Sequence, residues 1–100
     1  MFTVIRHYRG ATGLAKELKS RSADVQATIA AVPGFIAYYL IETADGAASV
    51  TVCESKAGCD ETSTRAANYL REKLPNLKIA PPEVTAGTLE FKFANYPAKV

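Results

Sequence analysis

The sequence predicts an α+β domain in which two helices cover one face of a four-stranded antiparallel sheet. Along the chain, the apolar period switches between two, typical of strands, and about 3.6, typical of helices. The resulting element order is β-α-β-β-α-β, and right-handed crossovers place both helices of that order on the same face. The Asp45-Gly46 pair indicates a tight hairpin in the middle of the chain. This ferredoxin-like arrangement makes the first and third strands central and the second and fourth strands edges.

The first strand and the first helix are predicted from residues 2–34. Residues 2–9 are short, β-branched and aromatic, and they end at Gly10. The following helix has Thr12 as its predicted N-cap and ends at Pro33-Gly34, because proline disfavours helical geometry in the residue before it. Its apolar stripe consists of Leu14, Leu18, Val25, Ile29 and Val32.

The second strand, residues 35–41, is apolar or aromatic at every position. Successive side chains of a strand point to opposite faces, so an unbroken apolar run indicates that both faces are covered. Helices cover one face of this edge strand, and no charge before Glu42 protects the other against association. We therefore expect a second copy of the chain to pack against it, with Tyr38 and Tyr39 on opposite faces.

The last three elements follow the hairpin. Val50 and Val52 alternate with polar residues in a third strand that ends near Cys53, and Ser55 is the predicted N-cap of the second helix. Pro75 ends that helix. After a loop, residues 85–93 are predicted as the fourth strand, with Leu89, Phe91 and Phe93 on one side.

Length and composition limit the classes of function. One hundred residues predict one domain, assigned to residues 1–93, followed by a tail over residues 94–100. The net charge of +2 and the scattered Lys and Arg residues argue against nucleic-acid binding. No apolar segment approaches a membrane span or a signal peptide, so a cytoplasmic location without membrane contact is expected. One histidine and two cysteines are too few for a structural zinc site or a disulfide scaffold, and no metal site is predicted.

Three segments carry a resemblance to a known family: PGFIAYYLIE (33–42), SVTVCES (49–55) and TSTRAANYL (62–70). Over about residues 2–93 the chain resembles the antibiotic biosynthesis monooxygenase-like family of dimeric α+β barrels. The resemblance implies a homodimer whose two sheets form a barrel, with a pocket in each subunit between sheet and helices. Members include cofactor-independent monooxygenases of polyketide-like aromatics, haem-degrading monooxygenases and proteins without a known reaction.

The chain departs from the family pattern at two places. Many relatives have a tryptophan before the Glu-Ser pair, where this chain has Cys53. The haem-degrading relatives carry a histidine ligand and a tryptophan on the second helix, and this helix has neither. We therefore expect neither haem nor another cofactor.

Candidate site residues follow from chemistry rather than from a motif. His7 titrates near neutral pH when unperturbed and lies on a central strand, so it is the candidate catalytic base. The alternative is a structural histidine, hydrogen-bonded to a neighbour or facing the barrel interior. Tyr39 and Asn68 are candidates for binding a small aromatic substrate, although a tyrosine also suits an interface and an asparagine suits a helix surface.

The remaining reactive side chains have simple alternatives. Cys53 and Cys59 could form a redox couple, but they lack the Cys-X-X-Cys spacing and fit two unreactive thiols. Arg65 and Glu61, four residues apart, indicate an exposed ion pair. Two hypotheses remain open: a small cofactor-independent monooxygenase, and a non-catalytic dimer that binds a small ligand or serves a structural role.

Overall fold

The computed structural model describes residues 1–95 and contains the predicted sheet. The four strands are antiparallel in the order β2-β3-β1-β4, so the predicted central and edge positions are confirmed. The strands are β1 (Phe2–Arg9), β2 (Phe35–Thr43), β3 (Gly46–Cys53) and β4 (Glu83–Thr88). The helices are α1 (Leu14–Ser20), α2 (Ser22–Ile29) and α3 (Lys56–Lys73), followed by a 3₁₀ turn at Pro75–Leu77. Among the described residues, no helix is both long and apolar enough to span a bilayer.

The sheet has a covered side and an uncovered side. Along β1, Val4, Arg6 and Tyr8 are buried beneath the helices, on what we call the helix side. Ile5 and His7 point the other way, to the open side, where Ile5 is 39% exposed. On β2, Tyr39 shares the open side with Ile5, because both pair with Val50 of β3. The helix side therefore holds the core, and the open side is the sheet's free surface.

The predicted first helix is two helices, and this detail of the prediction was wrong. Arg21 leaves helical geometry, with φ −115° and ψ 28°, and separates α1 from α2. The break falls between Ser20 and Ser22, where the Ser20 hydroxyl donates a hydrogen bond to the Glu17 carbonyl at 2.8 Å. Serine pairs and such side-chain bonds to the backbone are common where helices bend. The N-cap is Gly13, with φ 88°, instead of Thr12.

The fourth strand is shorter and earlier than predicted. It runs from Glu83 to Thr88, instead of over residues 85–93. Thr88 pairs with Phe2, the first residue of β1, and Leu89 adds one hydrogen bond to the Met1 carbonyl at 2.9 Å. Phe91 and Phe93 lie outside the sheet, 78% and 92% exposed, with their rings stacked at a centroid distance of 6.3 Å.

The hairpin and the cap of α3 lie close to their predicted places. The hairpin turns at residues 44–45, one position earlier than predicted, and Gly46 opens β3 opposite Thr43. A side chain at Gly46 would collide with the Tyr8 carbonyl, so glycine is required there. Ser55 caps α3 as predicted, accepting a hydrogen bond from the Gly58 N–H at 3.3 Å.

The main core lies between the helices and the sheet. It contains Leu14, which is fully buried, and it extends through Leu18 and Tyr8 to Leu74 behind α3. A smaller cluster joins Val4, Cys53 and Cys59 at the other end of the sheet. The division into a domain over residues 1–93 and a tail over residues 94–100 stays a prediction, and residues 96–100 lie outside the described residues.

Candidate functional site

The structure places His7 on the open side, at the end of the sheet beside the hairpin. Its side chain is 26% exposed, and Nε2 lies 3.3 Å from Asp45 Oδ1. The same carboxylate accepts a hydrogen bond from Thr43 Oγ1 at 3.0 Å and pairs with Arg9 at 3.1 Å. The Thr43 hydrogen bond, assisted by His7, holds the pKa of Asp45 below its usual 3.8. His7 therefore lies beside the exposed ion pair of Asp45 and Arg9 at one end of the sheet.

The three predicted site residues are divided between the two sides. Tyr39 shares the open side with His7 and is 46% exposed. Asn68 lies on α3, across the sheet, and its Oδ1 accepts a hydrogen bond from Arg71 Nη2 at 2.5 Å. Tyr38, the neighbour of Tyr39, faces the helix side, so the two tyrosines take opposite faces as expected. His7 and Asn68 are consequently not brought together within one subunit.

The most unusual group of the helix side is Arg6, which the sequence did not single out. Its side chain is 2% exposed, although arginine is rarely buried without an ionic partner. All its hydrogen-bond acceptors are neutral hydroxyls. Nη1 donates to Ser49 Oγ at 3.3 Å and to Thr51 Oγ1 at 3.0 Å. Nη2 donates to Thr62 Oγ1 at 2.7 Å and to Ser63 Oγ at 3.0 Å. Nε donates to the same Ser63 Oγ at 3.2 Å.

These contacts satisfy the five N–H donors of the guanidinium but leave its charge unbalanced. Within residues 1–95, no aspartate or glutamate forms an ion pair with Arg6. Burying an uncompensated charge is costly, and hydrogen bonds to hydroxyls offset only part of that cost. The charge also acts on its neighbours: burial raises the pKa of Tyr8 and Tyr38 above 10, and Arg6 opposes that rise.

Arg6 borders a cavity of about 600 Å³ between α3, the segment that follows it and the sheet. We call it the helix-side cavity. Most of its walls are apolar, supplied by Leu70, Leu74, Ile79 and Val84, and by prolines of the loop before β4. Its charged residues are Arg6, Arg71 and Lys78; among the described residues that line it, none is Asp, Glu or His. Its size falls within the ordinary range for small-molecule sites.

A second cavity, about 970 Å³, lies between α1, α2 and the edge strand β2. Tyr38, Leu40 and Val25 contribute apolar surface to it. Its charged residues carry both signs, with Lys16 and Lys19 on α1 and Glu42 on β2. This edge cavity is larger than the helix-side cavity but shows no preference for an anion or a cation.

The two cysteines are free and buried at the end of the helix side. Cys53 is inaccessible to solvent, and burial together with the neighbouring Cys59 raises its pKa from 9.0 to about 11. The Cys59 thiol donates to the Phe2 carbonyl at 3.3 Å. A thiol with a raised pKa is a poor nucleophile at neutral pH, so this environment favours two unreactive thiols. The predicted Arg65–Glu61 ion pair is present, at 3.0 Å.

Comparison with known proteins places this geometry in context. No protein-family model and no curated protein matches the chain. Solved structures do match it. The haem-degrader MhuD of Mycobacterium tuberculosis, with two haems bound in its active site, has a TM-score of 0.67 at 16% identity, over 94% of this chain and 100% of that one. A monooxygenase from the gene ActVA-Orf6 of Streptomyces coelicolor, in complex with nanaomycin D, has a TM-score of 0.63 at 23% identity, over 95% of this chain and 91% of that one.

A dimeric ferredoxin-like protein from an uncultured marine organism gives a TM-score of 0.61 at 18% identity, over 94% of this chain and 96% of that one. This chain shares their fold. The predicted ferredoxin-like α+β architecture is thereby confirmed over nearly the whole chain. At these identities the likeness concerns the fold, and the chemistry must be argued from the side chains.

The haem site of MhuD raises the question of whether this chain could hold haem. The described residues contain no cluster of three or more His, Cys, Asp or Glu side chains suited to a metal ion. The single histidine, His7, lies on the open side, whereas the helix-side cavity has no histidine among its described lining residues. The residues present do not fit a haem held by a histidine of the helix side.

Sequence reasoning missed Arg6 because an arginine on a strand normally marks an exposed position. A signal was available in its alternation with Val4 and Tyr8, which places Arg6 on their face of β1. A second signal was the hydroxyl-rich Ser49, Thr51 and Thr62-Ser63, which suit an arginine without a carboxylate. Only the pairing of β1 with β3, and the packing of α3 over both, brings these groups together.

Proposed function

We propose that the chain is a cofactor-independent monooxygenase that acts on a small aromatic or polyketide-like substrate in the helix-side cavity. One observation carries the proposal: an apolar cavity between helices and sheet has cationic residues, Arg6, Arg71 and Lys78, and no described carboxylate in its lining. Such a lining favours a flat apolar ring that carries a negatively charged oxygen. The shared fold with the Streptomyces coelicolor monooxygenase supports the choice of reaction class.

The reaction requires no metal if the substrate is an electron-rich phenol or enol that reacts as its anion. In an anthrone-type substrate, O₂ accepts electrons from the anionic ring, and one oxygen atom becomes the new ring carbonyl. The other oxygen leaves as water with the two hydrogens of the oxidised carbon. The apolar walls of the cavity would hold the ring, and its cations would stabilise the anionic form.

The roles of the predicted site residues stay predictions. Asn68 is not among the lining residues of the helix-side cavity, but it accepts a hydrogen bond from Arg71, which is, so it would act on a substrate there through Arg71. Tyr39 borders the edge cavity and the open side, and would contact a substrate bound there. His7 as general base would require a substrate on the open side, inside the barrel of a dimer.

We also propose that the chain forms a homodimer through the open side. Ile5 on β1 and Tyr39 and Ile41 on β2, the two strands that flank β3, are 39–46% exposed, and a monomer would leave them in water. Burying large apolar side chains of this kind contributes about 1.5 to 3 kcal/mol each. Phe91 and Phe93 add a second exposed apolar group beyond β4. The dimeric ferredoxin-like protein of the same fold supports this assembly.

A non-catalytic ligand-binding protein is the second candidate, and a specific observation favours it. The helix-side cavity contains no His, Asp or Glu among its described lining residues, so it has no evident general base. Such a protein would bind the same class of ligand and leave it unchanged. The two candidates differ only in whether oxygen is consumed.

An oxygen-uptake assay with a panel of hydroquinones and anthrones separates the candidates. The monooxygenase should consume one O₂ per substrate and release one water, giving the anthraquinone from an anthrone and the hydroxyquinone from a hydroquinone, unaffected by metal chelators. Substrate binding without oxygen uptake would favour the non-catalytic ligand-binding protein. His7→Ala tests the base: loss of uptake by a variant that keeps the wild-type assembly would support it, and unchanged uptake would remove it.

Titration with haemin tests the expectation that haem is not a cofactor. Because no histidine lines the helix-side cavity among the described residues, we expect no one-to-one change of the Soret band. A sharp stoichiometric complex would contradict the expectation, and His7→Ala would then show whether the open-side histidine is the ligand.

A further inference from the structure

The contacts of Arg6 are arranged in two unequal groups. Ser49 and Thr51 hold Nη1 from β3, and Thr62 holds one hydrogen of Nη2 from α3. Thr51 and Thr62 are fully buried, and Thr62 also donates to the Cys59 carbonyl at 2.7 Å. These three hydroxyls fix the plane of the guanidinium from the interior of the protein.

The remaining edge of the guanidinium is formed by Nε and the second hydrogen of Nη2. Both donate to one atom, Ser63 Oγ, at 3.2 and 3.0 Å. Two parallel N–H groups on this edge match the two oxygens of a carboxylate, or bracket a single phenolate oxygen, better than they match one neutral hydroxyl. Ser63 is only half-buried, and together with Arg6 it lines the helix-side cavity.

We propose that the Nε–Nη2 edge of Arg6 binds the anionic oxygen of an aromatic ligand in the helix-side cavity, and that Ser63 occupies this position until the ligand displaces it. The proposal rests on the proposed function for the choice of cavity and names its substrate class: aromatic carboxylates and phenolates. Ser63 keeps the donors of Arg6 satisfied in the free protein. The ligand then supplies the negative charge that the protein lacks.

The other two cations of the cavity differ from Arg6 in their exposure to solvent. Arg71 and Lys78 line the same cavity, Arg71 at the end of α3 and Lys78 in the segment after it. Arg71 is engaged with Asn68 on the exposed surface, in contrast to the buried Arg6. We therefore assign Arg71 and Lys78 to attracting anions towards the cavity, and Arg6 to holding the anionic oxygen, since only its charge is buried and fixed in orientation.

The test is a calorimetric titration of the full chain with naphthoate and with its neutral amide, naphthamide. An ionic hydrogen-bonded contact is worth about 1.5–3 kcal/mol, so naphthoate should bind at least about tenfold more tightly. Arg6→Met should remove this preference, whereas Arg71→Met, which removes an equal charge from the same cavity, should reduce it only in part. Equal affinity of the wild-type chain for the two compounds would overturn the proposal.

Ser63→Ala provides a variant that keeps Arg6 and tests displacement directly. Removing the competing hydroxyl should increase the affinity for naphthoate while leaving that for naphthamide unchanged, whereas a Ser63 that contacts the ligand itself would give weaker binding. Weaker naphthoate binding would therefore contradict displacement, even if Arg6→Met fails to fold. A para-nitrophenol titration followed by absorbance tests the phenolate class, since the bound dye should ionise at a lower pH than the free dye.

The outcomes separate this proposal from the proposed function. Anion-selective binding that depends on Arg6, without oxygen uptake, would leave the subsite in place and remove the monooxygenase. Oxygen uptake with no preference for anions, unchanged by Ser63→Ala, would support the monooxygenase and remove the Arg6 subsite.

Discussion

Arg6 and His7 are adjacent in sequence and lie on opposite sides of one strand, and their surroundings differ in every respect that matters for chemistry. Arg6 is 2% exposed and bound only by hydroxyls. The His7 side chain is 26% exposed and lies beside Asp45, which is itself paired with Arg9. The histidine has a charged partner in solvent, whereas the buried arginine has no carboxylate partner among the described residues.

The difference shows that environment, more than residue type, marks the stronger candidate for function. His7 attracted attention because imidazole titrates near neutral pH. An exposed ion pair contributes little and is common on protein surfaces. A buried guanidinium without a carboxylate is costly, and a ligand that supplied the missing negative charge would offset that cost.

The largest effect should come from two neighbouring residues of β2 that face opposite sides. Leu40 packs against the core on the helix side, and Ile41 is 46% exposed on the open side. Leu40→Asp places a carboxylate against the apolar core at a half-buried position, which should cost several kcal/mol, a large share of the total stability of a small domain. Ile41→Asp should leave the subunit folded and weaken the dimer.

Circular dichroism with light scattering at micromolar concentration separates these results. We expect Leu40→Asp to lose its cooperative thermal transition, and Ile41→Asp to keep the wild-type spectrum at half the mass. A wild-type chain that is a well-folded monomer at this concentration would contradict the open-side interface. Unfolding of both variants would show that the two sides are not independent.

The sequence predicted the sheet more completely than it predicted the site. Alternating or unbroken apolar runs are local signals, so the four strands and their order followed from them. The break at Arg21 was missed because a gap of seven residues, between Leu18 and Val25, still fits one helical stripe. The end of β4 at Thr88 depends on where β1 begins, which is a pairing property that the segment itself does not contain.

The candidate site was harder because its groups come from distant parts of the chain. The Arg6 contacts join residues 43 to 57 positions apart, across three elements. Periodicity places each residue on a face but does not say which hydroxyls meet which donor. His7, in contrast, could be selected by type alone, and its face became clear only when Val4, Arg6 and Tyr8 were seen beneath the helices.

A smaller effect is expected at the closed end of the helix side, where Cys53 lies. Its pKa of about 11, against 9.0 unperturbed, leaves roughly one hundredth of the usual thiolate at neutral pH. Iodoacetamide should therefore modify Cys53 at least about 100-fold more slowly in the folded chain than in denaturant. Mass spectrometry of the labelled peptide gives both rates, and the denatured chain is the control. Rapid labelling of the folded chain, or a disulfide between Cys53 and Cys59 under mild oxidants, would contradict two unreactive thiols and support a redox couple.

The same raised pKa predicts the alkaline behaviour of the fold. The unfolded thiol ionises first, near pH 9, so the contribution of Cys53 to stability is fully present below that pH. It should be lost as the pH rises towards 11. Cys53→Ala should lack this component of the pH dependence in denaturant titrations, and an identical profile in the variant would contradict the assignment.

The smallest effect should come from the open-side charges around His7. Asp45→Asn keeps an oxygen that can accept the Thr43 hydrogen bond and removes only the charge facing His7 and Arg9. Exposed pairs of this kind are screened by water, so the variant should be only slightly less stable than the wild-type chain at neutral pH. The folded-state pKa of Asp45 is lowered, so its contribution to stability is present above the ordinary value of 3.8 and disappears as the pH falls below it.

Urea titrations of the wild-type and Asp45→Asn chains from neutral to acidic pH should therefore converge. Glu83→Gln, which also removes a carboxylate paired with Arg9, is the matched control. A large loss of stability in Asp45→Asn alone would mean that the His7–Asp45 contact is buried in the assembled protein. The open side, and not the helix side, would then be the better candidate for the substrate site.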